Sequence, residues 1–243
     1  MKTIVFFGDS LTEGRIGASY IERIQRTLGP DVRLINAGIN GDTTYHLLRR
    51  LQADVVAHDP DIVVVQVGLN DMGTANPTLS QRFYYRFVKG VPWRMLPHHY
   101  AHGLRLLLHK LHQQTRAQLL LCTFTTLSED PDDYVQHYVD AYNIALRAVA
   151  LEEHVPIIDL RSAFLDAMRT DPRPGIPYTV LMALQDMAAV RWRGVTYTQL
   201  TEQRGFRLLC DGVHMAEAGA DLMAETILPQ LYAILNNTPN TAP

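Results

Sequence analysis

The sequence predicts an α/β protein built on an open, parallel five-stranded sheet with helices on both faces. Short apolar strand-like runs alternate along the chain with segments of helical period, the pattern of successive βαβ units. One run, Ile62-Val63-Val64-Val65, has no polar alternation, as expected for a strand covered on both faces. The chain has 243 residues, 47% hydrophobic and 19% charged, which suits one globular domain spanning 1–243 with a core of ordinary size.

The elements follow in order. Strands are expected at Thr3–Phe7, Val32–Asn36, Ile62–Val67, Gln118–Phe124 and Val155–Leu160. Between them, Tyr20, Ile21, Ile24 and Leu28 share one helical face, stopped by Gly29-Pro30. Leu47, Leu48, Leu51 and Val55 do the same, as do Val135, Tyr138, Val139, Tyr142, Leu146 and Val149. The last helix begins near Ala216 and carries Leu222, Met223, Ile227 and Leu231; Pro229 should kink it or mark a restart. The polar tail 236–243 is expected to fray. Five strands of this kind fit a flavodoxin-like order. Two connections, about 74–102 and 171–209, are too long for loops and carry helical pattern, so they read as helical insertions.

Composition narrows the function classes. There is no charged n-region followed by an apolar h-region, and no apolar run approaches the ~20 residues of a membrane span. A cytoplasmic protein without integral membrane association is expected. Cys122 and Cys210 lie far apart and define no disulfide framework; buried thiols in a reducing compartment are the simpler reading. Net charge is −3, and no nucleic-acid-binding motif is present, so no nucleic-acid partner is expected. Charge is nevertheless uneven. No acid lies between Asp71 and Glu129, an interval holding Arg82, Arg86, Lys89, Arg94, Arg105, Lys110 and Arg116. Five of the ten histidines, His98, His99, His102, His109 and His112, lie there too. With no acid or cysteine beside them they read as a solvated basic helix, and no metal or organic cofactor is expected.

The chemistry-bearing residues sit where strands end. Gly8-Asp9-Ser10-Leu11 follows the first strand and presents a hydroxyl at its carboxyl end, where open α/β sheets bind ligands. Acyl transfer by a serine needs a base, a group that orients the base, and oxyanion donors. Asp211-Gly212-Val213-His214, just before the last helix, contains the only histidine with an acid three residues before it. Asn36-Ala37-Gly38-Ile39-Asn40-Gly41-Asp42 after the second strand, and Gly68-Leu69-Asn70-Asp71 after the third, offer backbone and carboxamide N–H groups. Each of these also has a plainer reading, as turn punctuation or as a helix cap at Asp42 or Thr43.

Taken in order, these four blocks resemble the SGNH (GDSL) hydrolases from one end of the chain to the other, the two insertions excepted. Thr12 stands where the second glycine of a Gly-x-Ser-x-Gly elbow would be, which sets the motif apart from the α/β-hydrolases. The resemblance implies a serine esterase working through an acyl-enzyme and acting on a small-molecule ester. Ser10 is then the nucleophile, His214 the base and Asp211 its orienting acid. The oxyanion donors are the Ser10 N–H, the Gly41 N–H (Gly38 being the alternative) and the Asn70 side chain, each contributing roughly 3 kcal/mol. Asp9 is expected to hold the turn. Met215 replaces a proline common in the family. A thioesterase, a lysophospholipase and a carbohydrate O-deacetylase are the neighbouring activities, and a catalytically silent binding protein is the alternative of another class.

The first insertion gathers Phe83, Tyr84, Tyr85, Phe87, Trp93 and Tyr100. Either they pack it onto the domain or they form a wall over Ser10, with Phe83, Tyr84 and Trp93 facing substrate. Its basic residues either attract an anionic substrate or a membrane surface, or pair with acids elsewhere. The second insertion reads equally as another lid element or a dimer contact.

Overall fold

The computed structural model describes residues 1–75, 79–175 and 180–237. Residues 76–78 of the first insertion, 176–179 of the second and 238–243 of the tail lie outside the described residues. Five parallel strands, β1 (Lys2–Gly8), β2 (Val32–Gly38), β3 (Ile62–Gln66), β4 (Gln118–Cys122) and β5 (Ile157–Ile158), form one sheet in the order β2-β1-β3-β4-β5. This is the flavodoxin-like order. Its switch point is β1, where the first crossover runs one way and the later ones run the other.

The helices are α1 (Ser10–Glu13), α2 (Tyr20–Leu28), α3 (Thr44–Asp54), α4 (Leu69–Ala75), α5 (Leu79–Phe83), α6 (Pro97–Gln114), α7 (Val135–Glu152), α8 (Leu160–Thr170), α9 (Val180–Arg193), α10 (Tyr197–Gln203) and α11 (Glu217–Asn237). Right-handed crossovers put α2 on the face opposite α3, α6 and α7. Accordingly α6 packs between α3 and α7, and α11 packs between α2 and α8. The two helical layers explain why β1 and β3 are buried along their apolar lengths and read as unbroken apolar runs.

Local chemistry sets the element ends. Ser19 caps α2 by accepting the Glu22 N–H at 3.3 Å, and Gly29 stops it at φ 75°. Of the kink or restart expected at Pro229, the restart does not occur: α11 runs through it as one helix. Pro229 and Glu225, whose carbonyl loses its helical donor, are both exposed, while Met223, Ile227 and Leu231 are buried on the opposite side and hold the helix to the core. The same helix extends through Asn236 and Asn237, which were expected to fray. The edge strand β5 is only two residues long, shorter than its apolar run.

Strand register places the chemistry-bearing loops. Gly8 of β1 pairs with Gly38 of β2 and with Gln66 of β3, so three strands end on one row. The chain therefore delivers Ser10, the 38–42 turn and Asn70 to the same edge of the sheet.

Candidate active site

Ser10 is the first residue of α1, immediately after β1. Asp9 caps this short helix by accepting the Leu11 N–H at 3.1 Å. Burial pushes the Asp9 carboxyl up to about 7, against the lowering effects of the Leu11 N–H, His214 and the Asn70 amide. Asp9 thus holds the serine turn, in its expected structural place.

The neighbouring strand ends are tied to this turn by side chains that motif reading passes over. The Arg50 guanidinium donates to Gly8 O and Ala37 O, each at 2.8 Å, and to the buried Asp42 carboxylate at 2.8 Å. It thereby locks the ends of β1 and β2 together. Lys89 pairs with the other oxygen of Asp42 at 2.9 Å and donates to Asn40 O at 2.7 Å. Gly41, between these anchors, has φ 76°, a backbone state that other residues rarely adopt. Gly41 lines the same cavity as Ser10. Gly38 instead packs so closely on α1 that a Cβ there would collide with the Glu13 backbone nitrogen. Of the two glycines, Gly41 is the one that lines the cavity.

After β3, α4 starts at Leu69 and carries Asn70 in its first turn. Buried Asp71 accepts from the Thr44 hydroxyl at 2.5 Å and from the Thr44 N–H, joining the starts of α4 and α3. Its carboxyl is pushed up to about 7 by burial, despite the Thr44 donors. The Asn70 carboxamide is held at both ends. Nδ2 donates to Asp9 Oδ2 at 3.2 Å, and Oδ1 accepts from the Tyr85 hydroxyl at 2.7 Å.

His214 and Asp211 lie on the loop before α11. Asp211 Oδ2 is 2.6 Å from His214 Nδ1, and its Oδ1 accepts the N–H groups of Val213 and His214 at 3.0 and 2.8 Å. Both side chains are buried. Burial is the largest single influence and would raise Asp211 and lower His214, but the charge and hydrogen bonds each receives from the other, with smaller neighbours, together outweigh it. Asp211 is held below its ordinary value and His214 above. The loop itself is pinned from outside. Glu129, buried after β4, accepts the N–H groups of Arg207, Leu208 and Leu209 at 2.9, 2.7 and 2.6 Å. Cys210 N donates to His214 O at 2.8 Å, closing the turn.

Ser10, Gly41, Asn70 and His214 all line one cavity of about 1120 Å³. Its further walls come from α4 (Leu69, Met72), α7 (Tyr138, Tyr142) and α9 (Leu184, Met187). A buried aromatic group adjoins them: Tyr100 meets Phe124 edge-on at 5.4 Å, and Tyr100 and Tyr142 donate to Val67 O and Met95 O. Tyr84 and Tyr85 line the cavity, but Phe83 and Trp93 do not, and there the expectation from sequence is corrected. Phe83 is 61% exposed and stacks on Phe87, while Trp93 is 54% exposed and meets Tyr45. Both belong to the outer side of the insertion, because its chain turns through a π-helical turn, Tyr84–Val88, and not a continuous α-helix. Of the seven basic residues in the acid-free stretch, Arg94 lines the cavity; Lys89 and Arg105 pair with Asp42 and Glu152. Among the described residues, no three His, Cys, Asp or Glu side chains gather as a metal site.

Arg50, Glu129 and Tyr85 were missed by sequence reasoning. Glu129 acts on backbone groups and Arg50 on two strand-end carbonyls as well as Asp42 and Asp54, and the backbone contacts leave no mark in side-chain spacing. Tyr85 stood among six aromatics with nothing to single it out.

Fold and site together define an ester-hydrolysing α/β enzyme. Residues 6–179 match the model of the GDSL-like Lipase/Acylhydrolase family, and the chain belongs to that family. It is 25% identical over 189 residues to an acetylxylan esterase of Geobacillus stearothermophilus, covering 70% of this chain and 80% of the relative. It is 27% identical over 165 residues to the esterase TesA of Pseudomonas aeruginosa, covering 65% and 69%. Among solved structures, an acetyl xylan esterase, AlAXEase, superposes with a TM-score of 0.65 at 24% identity, covering 94% of this chain and 99% of that one. The Geobacillus stearothermophilus acetylxylan esterase Axe2 gives 0.64 at 21% identity, covering 95% and 94%. The two structural likenesses speak to the fold. Among the described residues no helix is long and apolar enough to cross a membrane.

Proposed function

We propose that the enzyme cleaves carboxylic esters through an acyl-enzyme formed on Ser10. The observation that carries this reading is the convergence of Ser10, Gly41, Asn70 and His214 on one cavity, with Asp211 2.6 Å behind the histidine. Asp211 occupies Nδ1, which leaves Nε2 as the basic nitrogen. Ser10 Oγ attacks the ester carbonyl while His214 Nε2 takes its proton. The carbonyl π electrons move onto oxygen, where the N–H groups of Ser10, Gly41 and Asn70 receive them. Collapse expels the alcohol, which takes the proton from His214. Water then repeats the sequence and releases the acid. Asn70 Nδ2 carries two protons, so donation to Asp9 leaves one for the oxyanion.

Substrates with a medium-length apolar acyl group suit the walls formed by Leu69, Met72, Tyr142 and Leu184. A second reading, removal of acetyl groups from a carbohydrate, is favoured by the acetylxylan esterases among the relatives. A cytoplasmic setting is supported by the buried free thiols of Cys122 and Cys210.

Hydrolysis of p-nitrophenyl esters from acetate to palmitate, and of acetylated xylo-oligosaccharides, tests both readings beside Ser10→Ala. Loss of all turnover in the variant is expected. Ser10→Ala turning over at the wild-type rate overturns the nucleophile. Preference for the acetylated sugar over every p-nitrophenyl ester selects the second reading.

A further inference from the structure

The first insertion reaches both oxyanion donors that lie outside the serine turn. Lys89 N bonds Tyr84 O at 2.9 Å across five residues, which closes the π-helical turn Tyr84–Val88. Such turns are uncommon and recur at functional sites. Successive residues of an α-helix point about 100° apart, yet Tyr84 and Tyr85 both line the cavity. Tyr84 Oη lies beside Gly41, 2.8 Å from where a Cβ would stand. Tyr85 Oη donates to Asn70 Oδ1 at 2.7 Å.

Two further features make the second contact a built one. Gly73 lies one turn along α4 from Asn70, and a Cβ there would stand 2.7 Å from Tyr85 Oη and 2.9 Å from its ring. Glycine inside a helix is destabilising by roughly 1 kcal/mol relative to alanine. Here it makes room for the phenol. The end of the turn is also anchored: His46 Nδ1 accepts the Thr43 N–H at 3.1 Å, so its Nε2 carries the proton and donates to Lys89 O at 2.8 Å. The phenol is therefore carried on a segment tied to α3.

We propose that Tyr85 is a positioning residue of the oxyanion hole, its hydroxyl holding the Asn70 carboxamide so that Nδ2 stays on the Asp9–Ser10 side. A carboxamide on a single bond otherwise rotates freely about its last torsion. The Asp9 carboxylate selects which end of the amide faces the serine, and Tyr85 fixes its rotation. The insertion thus contributes to transition-state binding through Asn70. This inference rests on Ser10 being the nucleophile and Asn70 an oxyanion donor.

A double-mutant cycle with Tyr85→Phe and Asn70→Ala, on the best p-nitrophenyl ester, tests it. Asn70→Ala removes a donor outright, expected to lower kcat about 10²- to 10³-fold. Tyr85→Phe keeps the ring and should lower kcat about tenfold with KM within about twofold, because ground-state binding is untouched. In the Asn70→Ala background the same change should lower kcat less than twofold. Gly73→Ala, which displaces the phenol from the other side, should reproduce the kcat loss while the thermal midpoint stays at or above wild type. Tyr85→Phe with wild-type kcat, a loss shared equally with KM, or an undiminished loss in the Asn70→Ala background each overturns the proposal. Ser10→Ala measured alongside separates the two levels. An active Ser10→Ala sinks the reading of the site, whereas an inactive Ser10→Ala with wild-type Tyr85→Phe sinks only the positioning role.

Discussion

His214 sits between opposing influences, and their balance sets how the enzyme responds to pH. Burial disfavours its charged form, while the Asp211 carboxylate at 2.6 Å, with smaller help from Asp9 and Glu13, favours it and prevails. The imidazole is held above its ordinary value of 6.5. In the proposed mechanism it must be neutral to accept the Ser10 proton, so kcat/KM should rise with pH through a limb lying above pH 6.5. Asp211→Asn removes the main influence that raises the pKa and leaves the burial that lowers it. The limb should move to lower pH, and the plateau rate should fall by about 10⁴-fold as the tautomer is lost. Full pH–rate profiles of wild type and Asp211→Asn check both; an unmoved limb would show that another group controls the rate. These candidates stand out in the sequence because each sits at a local landmark. A serine after the first apolar run, Asn70 after the third and His214 three residues after an acid all declare themselves in order. Tyr85 did not, because its partner lies 15 residues away and depends on a π-helical turn that no apolar period encodes.

At the scale of elements, the loop carrying Asp211 and His214 owes its place to a residue far from it in sequence. Glu129 Oε1 gathers three successive N–H groups of Arg207, Leu208 and Leu209. Burial pushes this carboxyl up, while the same three donors oppose the shift. Removing the acceptor would strand buried donors, each costing about 1–3 kcal/mol. Glu129→Ala should therefore destabilise the protein by about 3 kcal/mol or more, and Glu129→Gln, which keeps one acceptor oxygen, by clearly less. Urea unfolding of both variants measures this; an alanine variant within about 0.5 kcal/mol of wild type would show that the latch carries no weight. The central strands and major helices were legible in the sequence because each buries an apolar stripe or run. The failures also have physical causes. Pro229 faces solvent, so the helix passes it unbroken, and β5 lies at an edge where two paired residues suffice. Phe83 and Trp93 are exposed, and the expectation for them fails because aromatic content alone does not say which side of an insertion is covered.

On the scale of the whole molecule, the parallel sheet gathers the candidate site at one edge and the insertions line the cavity beside it. The row Gly8, Gly38 and Gln66 ends three strands together, so the loops that carry the candidate site leave the sheet side by side. The cavity of about 1120 Å³ is closed by parts that lie outside the sheet, with Tyr84 and Tyr85 on one wall and Leu184 and Met187 of α9 on another. This division predicts that chain-length preference can be altered without touching the chemistry. Each methylene buried against an apolar wall contributes about 0.8 kcal/mol, so a narrowed cavity should disfavour long acyl groups most. Leu184→Trp is a suitable probe because Leu184 is 58% exposed and its replacement disturbs little of the core. The ratio of kcat/KM for p-nitrophenyl octanoate to that for acetate should fall about tenfold, with the acetate rate near wild type. An unchanged ratio would place the acyl group elsewhere in the cavity and assign the α9 wall to the leaving group. A parallel loss on both esters would mean that α9 governs entry to the site and not the length of chain it accepts.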